Sequence, residues 1–340
     1  MGGETSNTQH LEVDSGEQED NASAYSDNSS YRTPVPPSIL DYKYENGRRY
    51  HAFREGSYLM PNDEREQERL DLVHQIYKAI VHGALYRAPL PPNPRRVLDI
   101  GTGTGIWAID FYYLLSADEH PNSDVLGTDL SLIQPTVVPP NCRFIIDDVR
   151  SPWAFEDKFD YVHSRCMLGA IGDWDALASE IFDNLTDGGW VELQEIESRF
   201  RSDDDSIQHA PNTRLWNEKF NEAGRLFGQR VDIAPRQRGF LEKAGFVDIR
   251  EEIYKIPVGS WPKDRRLKDL GRAMFIHMVE GLEAVSLAFF NRVLGWSREE
   301  IDKLISGVVN ELRSSKNHLY FNFYFTYGRK PPGGRAHPQI

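Results

Sequence analysis

The sequence predicts an α/β protein: a doubly wound, largely parallel sheet with helices on both faces. An N-terminal helix caps it, and a helical insertion precedes the last strand. Three observations carry this expectation. Residues 97–100 form a short apolar strand broken by one carboxylate, Asp99. That strand enters a loop with glycine at every second position, Gly101, Gly103 and Gly105, followed by a helix-forming run over 106–115. A second apolar strand over 124–128 ends in Asp129, and further strands end in acidic or polar residues at 143–149, 159–165 and 190–195. A strand, a glycine-rich turn and a helix N-terminus make the nucleotide-binding corner of a doubly wound sheet, and a carboxylate at the tip of the next strand accepts hydrogen bonds from ribose hydroxyls.

The glycine spacing narrows the ligand. Glycines so close together let the backbone take conformations closed to other residues and let a ligand touch the main chain. A dinucleotide fingerprint needs G-x-G-x-x-G, with its last glycine where helix and pyrophosphate meet. Here the spacing is G-x-G-x-G, and Ile106 stands where the third glycine would fall. This implies a ligand with a ribose and no pyrophosphate, which disfavours a nicotinamide-dependent reductase. Adenosine joined to an amino acid fits, and that is S-adenosyl-L-methionine.

Composition sets the outer limits. The chain has 340 residues, enough for one large domain or two small ones. Its formal charge of −13 argues against a direct nucleic-acid-binding surface, which needs clustered Lys and Arg. Cys142 and Cys166 are too few for a disulfide framework, and no Cys/His pair has metal-ligand spacing, so no metal is expected. No signal peptide and no run of eighteen apolar residues is present, so we expect no membrane span and a cytoplasmic or nuclear protein.

Taken in order, residues 1–40 are an acidic tail expected to be disordered. Seven carboxylates and no Lys or Arg fall before Arg32. Residues 41–94 form an N-terminal lid and helix. Tyr42, Tyr44, Tyr50, Phe53 and Tyr58 alternate there with Arg48, Arg49, His51 and Arg54, either as a lid over ligand or as a segment packing its aromatics on the domain. Asp63 and Glu66 form a capping box for the helix that follows. Residues 95–256 are the core, with a helix over 173–185, a turn over 186–189 and a strand over 190–195. Residues 257–331 hold a helical insertion for substrate or partner, with helices over 274–294 and 298–312, and the aromatic final strand over 319–327. Residues 332–340 are expected to be flexible.

Residues 97–105 resemble the first motif of the class I S-adenosylmethionine-dependent methyltransferases, and the L-x-x-G-G turn before the 190–195 strand resembles theirs too. This resemblance implies a Rossmann-like methyltransferase sheet. Within that class the segments 50–64, 70–72, 98–107, 142–153, 190–195 and 327–331 together look like the fungal LaeA-like methyltransferases, a family that includes the methyltransferase subunit of the velvet complex. The resemblance spans about 42–331. It implies that Gly101, Gly103 and Gly105 surround the methionyl and ribose parts, with Asp99 toward the amino group. Asp129 takes the ribose hydroxyls, Leu130 packs on adenine, and Asp148 (with Asp147 as its neighbour) and the Val149 backbone read the adenine edge. Arg165 lies by the methionine carboxylate or the acceptor, and Tyr50 is a lid residue.

Two roles follow: a regulator of secondary metabolism working with a velvet-type protein partner, or a tailoring enzyme that methylates an oxygen or nitrogen of a small metabolite. No catalytic base is assigned. Glu195, His163 and Arg165 are the polar groups nearest the expected acceptor position. His163 has a second reading as an internal residue bonded to backbone, and Glu195 as the partner of Arg199 or Arg201.

Overall fold

The computed structural model describes residues 41–117 and 123–334. The acidic tail over 1–40 and residues 335–340 of the C-terminal piece lie outside the described residues. The chain runs β1 (Lys43–Glu45), β2 (Arg48–Tyr50), α1 (Glu64–Ile80), β3 (Arg96–Ile100), α2 (Ile106–Ala117), β4 (Asp124–Asp129) and β5 (Cys142–Ile146). It continues through β6 (Phe159–Arg165), α3 (Trp174–Asn184), β7 (Leu185–Ile196), α4 (Pro211–Phe227), α5 (Gln237–Ala244) and β8 (Val247–Pro257). The last elements are α6 (Arg265–Ser286), α7 (Arg298–Arg313) and β9 (Tyr320–Arg329).

Seven strands form one sheet in the order β5-β4-β3-β6-β7-β9-β8. The first five are parallel, while β9 runs antiparallel to both β7 and β8. The chain moves outward from β3 to β5, then returns to the other side of β3 with β6. That reversal leaves a crevice beyond the carboxyl ends of β3, β4 and β6, where ligands of such sheets sit. The strands at its floor are buried on both faces: Val97, Leu98, Ile100, Val125 and Val162 have essentially no exposed surface. This is why they read as short apolar runs.

Several local expectations need correction. The segment around Tyr44 and Tyr50 folds as a hairpin of β1 on β2, turned at Asn46-Gly47, both with positive φ. Alternating aromatic and basic residues hid it. Asp63 caps α1 by accepting from the Glu66 N–H (3.0 Å), but the Glu66 carboxylate turns to Arg69 and leaves the reciprocal half of the capping box unmade. The strand expected over 143–149 ends at Ile146, where Asp147 and Asp148 leave the sheet. Residues 186–189 lie within β7, because Gly188 and Gly189 exchange backbone hydrogen bonds with Lys330 past the end of β9. The helix expected over 274–294 begins two turns earlier, at Arg265, capped by Asp264 on the Leu267 N–H (2.8 Å). It ends in a π-helical turn, Leu287–Asn291.

The insertion between β8 and β9 packs α6 and α7 with α1 and α4 around a second core, which includes Ile76, Trp216, Phe220, Met274, Leu282, Phe290 and Val308. The run Arg265–Asn291 is long and apolar enough to span a membrane by length and composition, and its apolar side is buried in that core. Gly271 allows the close crossing, since a Cβ there would stand 2.1 Å from the Gly259 carbonyl oxygen.

Candidate active site

The loop after β3 is held against β4 by its own backbone. Thr102 N–H donates to the Thr128 carbonyl (2.9 Å), and the Gly103 N–H donates to Asp129 Oδ2 (2.9 Å). The second Asp129 oxygen accepts from the Ser131 N–H (2.8 Å). Gly101 adopts φ +65°, and a Cβ on it would sit 2.1 Å from Met167 Sδ. Any side chain there would displace Met167, which covers the loop at the cleft wall. The loop borders a cleft.

That cleft has a volume of about 770 Å³, counting the solvent at its mouth. Of the residues expected around a ligand, Gly101, Gly103, Asp129, Leu130, Asp148, Val149 and Arg165 line it. Burial pushes the Asp129 carboxyl up to about 6, against the two backbone N–H groups that favour its charged form. Burial also opposes ionisation of Asp148, but Arg150, bonded at 2.7 and 2.8 Å, overcomes it and holds this acid below the usual carboxylate range. Arg165 donates to His74 Nδ1 (3.1 Å), and its guanidinium carbon lies 5.1 Å from the Tyr77 ring centre.

Three expected residues stand elsewhere. Asp99 is buried beneath the loop, with both oxygens taken by Thr102 Oγ1 (2.6 Å) and His163 Nδ1 (2.7 Å). It braces the loop from below and does not line the cleft. Gly105 faces away, and a Cβ on it would meet the Phe144 ring at 2.4 Å. Tyr50 is buried under the Arg292 guanidinium, 4.3 Å from its ring centre, outside the cleft. His163 is internal, but it bonds the Asp99 carboxylate and stacks on Trp107 at 3.7 Å, not on backbone.

The N-terminal segment does reach the cleft, through Tyr58, Pro61 and Asn62. It is tied down by Asn62 Nδ2 to Ser131 Oγ (3.3 Å), Arg150 to the Ser57 carbonyl (3.2 Å) and Tyr42 Oη to the Leu132 carbonyl (3.0 Å). Tyr58, one of the aromatics offered as a lid, lines the cleft in place of Tyr50; Met167 lines it too and carried no signal in the sequence.

A second cavity of about 880 Å³, again with its mouth, adjoins the first. Tyr58, Leu70 and Cys166 line both. Its walls are mostly apolar and aromatic, with Trp216, Phe220, Phe289 and Phe321 from α4, the π-helical turn and β9, and Arg69, Glu197 and His277 among its polar members. Cys166, at φ +55° just past β6, turns the chain between the two spaces. Glu195 lines the second cavity and is 1% exposed. Its Oε1 accepts from the Met167 N–H (2.7 Å), its Oε2 has no partner, and burial pushes its carboxyl up to about 8 against the Met167 and Leu168 N–H groups that favour its charged form. The expected pairing with Arg199 or Arg201 is not formed; Arg201 pairs with Glu197 instead. Among the described residues, no three His, Cys, Asp or Glu side chains are grouped as a metal site would need.

Residues 72–251, just over half of the chain, match the family model of a methyltransferase domain. The fold is thus that of a methyltransferase domain, whose methyl donor is S-adenosylmethionine. Among curated proteins, the chain is 40% identical to the methyltransferase pytC of Aspergillus terreus, covering 90% of this chain and 93% of pytC. It is 39% identical to the secondary metabolism regulator LAE1 of Cochliobolus heterostrophus, over 88% of this chain and 97% of that protein. The protein-methionine methyltransferase laeA of Emericella nidulans is 36% identical, over 84% and 76%. The chain belongs to the LaeA-like family of S-adenosylmethionine-dependent methyltransferases of fungal secondary metabolism.

Proposed function

We propose that this chain transfers the methyl group of S-adenosylmethionine to a small, largely apolar acceptor held in the second cavity. The observation that carries this reading is the junction at Tyr58, Leu70 and Cys166, where an aromatic-walled chamber opens beside the glycine cleft. The cleft fits the donor, because the glycine loop, the acid at the tip of β4 and a second acid just past β5 line one space. Gly101 and Gly103 then border the methionyl and ribose parts, and Asp129 accepts from the ribose hydroxyls. Leu130 packs on the adenine face, Asp148 and the Val149 backbone read the adenine edge, and Arg165 faces the donor's carboxylate. Asp99 acts one layer down, fixing Thr102 and His163 under the loop. The donor supplies an activated methyl group with its own leaving group, and the protein supplies alignment and a space that excludes water.

The test begins with calorimetric titration of S-adenosylmethionine into the wild type and Asp129→Ala. Micromolar binding lost in the variant supports the cleft assignment, and no binding to folded wild type would remove it. Incubation with labelled donor and small-molecule extracts, followed by mass spectrometry, then locates the methyl group. A gain on the protein itself would shift the reading to Met167, whose sulfur lies by the cleft and whose residue type is named in the Emericella relative.

The names of the regulator relatives favour a second reading, in which the methyltransferase acts with a protein partner of the velvet type in the nucleus or cytoplasm. The exposed face of the hairpin, with Tyr44 74% exposed between Lys43 and Glu45, offers a docking surface outside the cleft. Co-purification with a velvet-type protein should survive Asp129→Ala and fail on Tyr44→Ala if that surface is used.

A further inference from the structure

We infer that Glu195 takes the proton of a hydroxyl acceptor, so that the acceptor is a flat apolar molecule presenting a phenolic or enolic hydroxyl and the product is its methyl ether. This rests on the reading of the second cavity as the acceptor chamber.

Three acids near the end of β7 differ in how they are used. Glu192 is buried and fully engaged by the Arg87 and Ala88 N–H groups, Gln194 and Tyr161. Glu197 is engaged by Arg201 and Asn322. Glu195, between them, has Oε1 fixed by the Met167 N–H, with the Leu168 N–H also acting on its carboxylate, and Oε2 buried without a partner. Among the described buried side-chain atoms without a partner, Glu195 Oε2 is the one whose residue lines this chamber. Leaving such an atom unpaired costs about 1–3 kcal/mol, which a bound donor group removes.

The surroundings select the donor. The cations at hand are occupied: Arg69 is bonded to Glu66 and His277, and Arg165 to His74. The other titratable groups facing this end of β7 are Cys166 and Tyr77, both raised by burial, Tyr324 across the β7–β9 pair, also raised by burial, and His277, held neutral by burial and Arg69. None supplies a counter-charge to Glu195. A hydroxyl has one proton to place, and Oε2 is one open acceptor. An amine brings two or three N–H groups into walls of Trp216, Phe220, Phe289 and Phe321; the other charged or ring acceptors of the lining, Glu197 and His277, are already bonded to Arg201, Asn322 and Arg69, so surplus N–H groups compete with standing bonds.

The step balances. The acceptor oxygen forms a bond to the methyl carbon as that carbon's bond to the donor sulfur breaks, and the sulfur keeps the bonding pair. The hydroxyl proton passes to Glu195 Oε2. The donor's positive charge and the carboxylate's negative charge both vanish, leaving a neutral ether and a neutral carboxyl in an apolar chamber. A carboxyl raised to about 8 by burial is mostly protonated at neutral pH, so the competent form grows as pH rises toward 8.

The test uses the full chain, methyl-labelled S-adenosylmethionine, and 2-naphthol, 2-naphthylamine and 2-naphthalenethiol as matched probes. We expect labelled ether from 2-naphthol, none of the labelled amine, and a rate rising about tenfold per pH unit up to 8. Glu195→Gln should lower transfer about hundredfold or more, with donor affinity unchanged by calorimetry, and Glu195→Asp should restore part of it. A readout independent of turnover is quenching of the chamber tryptophan: wild type should bind 2-naphthol about tenfold tighter than 2-methoxynaphthalene, and the pH dependence of that preference should be lost in Glu195→Gln. Methylation of the amine or thiol in place of the naphthol, absence of any naphthol ether from protein that binds the donor, or an undiminished rate in Glu195→Gln overturns the inference while leaving the proposed function standing. A wild type that binds no donor removes both.

Discussion

Glu195→Gln should change the pH dependence of stability in a way no surface acid would. In the folded chain this carboxyl is 1% exposed, has no cation beside it, and is pushed up to about 8 by burial. In the unfolded chain it titrates near its ordinary 4.5. Between those values the unfolded state has released the proton and the folded state still holds it, so folding stability falls as pH rises through this window. Each pH unit crossed there costs about 1.4 kcal/mol, so the wild type gives up about 3 kcal/mol between pH 4.5 and 7 and about 4 kcal/mol by pH 8. Glutamine keeps the shape and the acceptor for the Met167 N–H without titrating. The variant should therefore match the wild type near pH 4.5 and exceed it by about 3 kcal/mol at pH 7. Urea unfolding followed by tryptophan fluorescence at pH 5, 6, 7 and 8 measures the difference, and other titrating groups cancel between the two proteins. A difference that stays flat across this range would refute the buried, uncompensated acid.

Other outcomes follow from the same geometry. In the proposed donor site Asp129 must be ionised to accept two hydroxyls, and burial raises it to about 6, so donor affinity should fall about tenfold per unit as pH drops below 6; calorimetry at pH 5 and 7.5 decides. Gly105→Ala should destabilise by about 2–4 kcal/mol, since φ is +79° and the new Cβ meets Phe144 at 2.4 Å; the thermal midpoint reads this. Asp63→Ala removes the α1 cap and the partner of buried Arg48, bonded at 2.6 and 2.9 Å, and should cost about 2–4 kcal/mol with loss of amide protection in the hairpin. Gly101→Ala should weaken donor binding, since φ is +65° and the new Cβ would stand 2.1 Å from Sδ of Met167, displacing a side chain that lines the cleft; calorimetry checks it.

The parallel strands and the ligand corner were legible because their signals are local. A buried strand must be apolar along its length, a chain that turns at positive φ favours glycine, and an acid at a strand tip stands out against both. Phe159–Arg165 was placed to the residue for this reason. Elements whose stability comes from distant partners were misplaced. The first two turns of α6 are rich in Arg, Lys and Asp and fold as helix because Asp264 caps them and Gly271 crosses β8. The strand β7 absorbs Gly188 and Gly189 only because Lys330 pairs with them from the far end of the chain.

The site divides along the same line. Asp99 and Asp129 look alike in sequence, each an acid at or near the end of an apolar strand. What separates them is depth: Asp129 lies at the last position of β4, level with the glycine loop, whereas Asp99 lies one residue before the end of β3 and meets His163 in register on β6. Its oxygens are spent on Thr102 and His163 before any ligand arrives. Glu192, Glu195 and Glu197 pose the same problem, three acids within six residues of one strand end, with nothing local to rank them. Their difference lies in what reaches them: the Arg87 backbone N–H from 105 residues away at Glu192, the Arg201 guanidinium from four residues away at Glu197, and at Glu195 a backbone N–H, that of Met167, with no side chain. A reactive acid in this chain is defined by the partner it lacks, a property of the assembled fold and not of any motif.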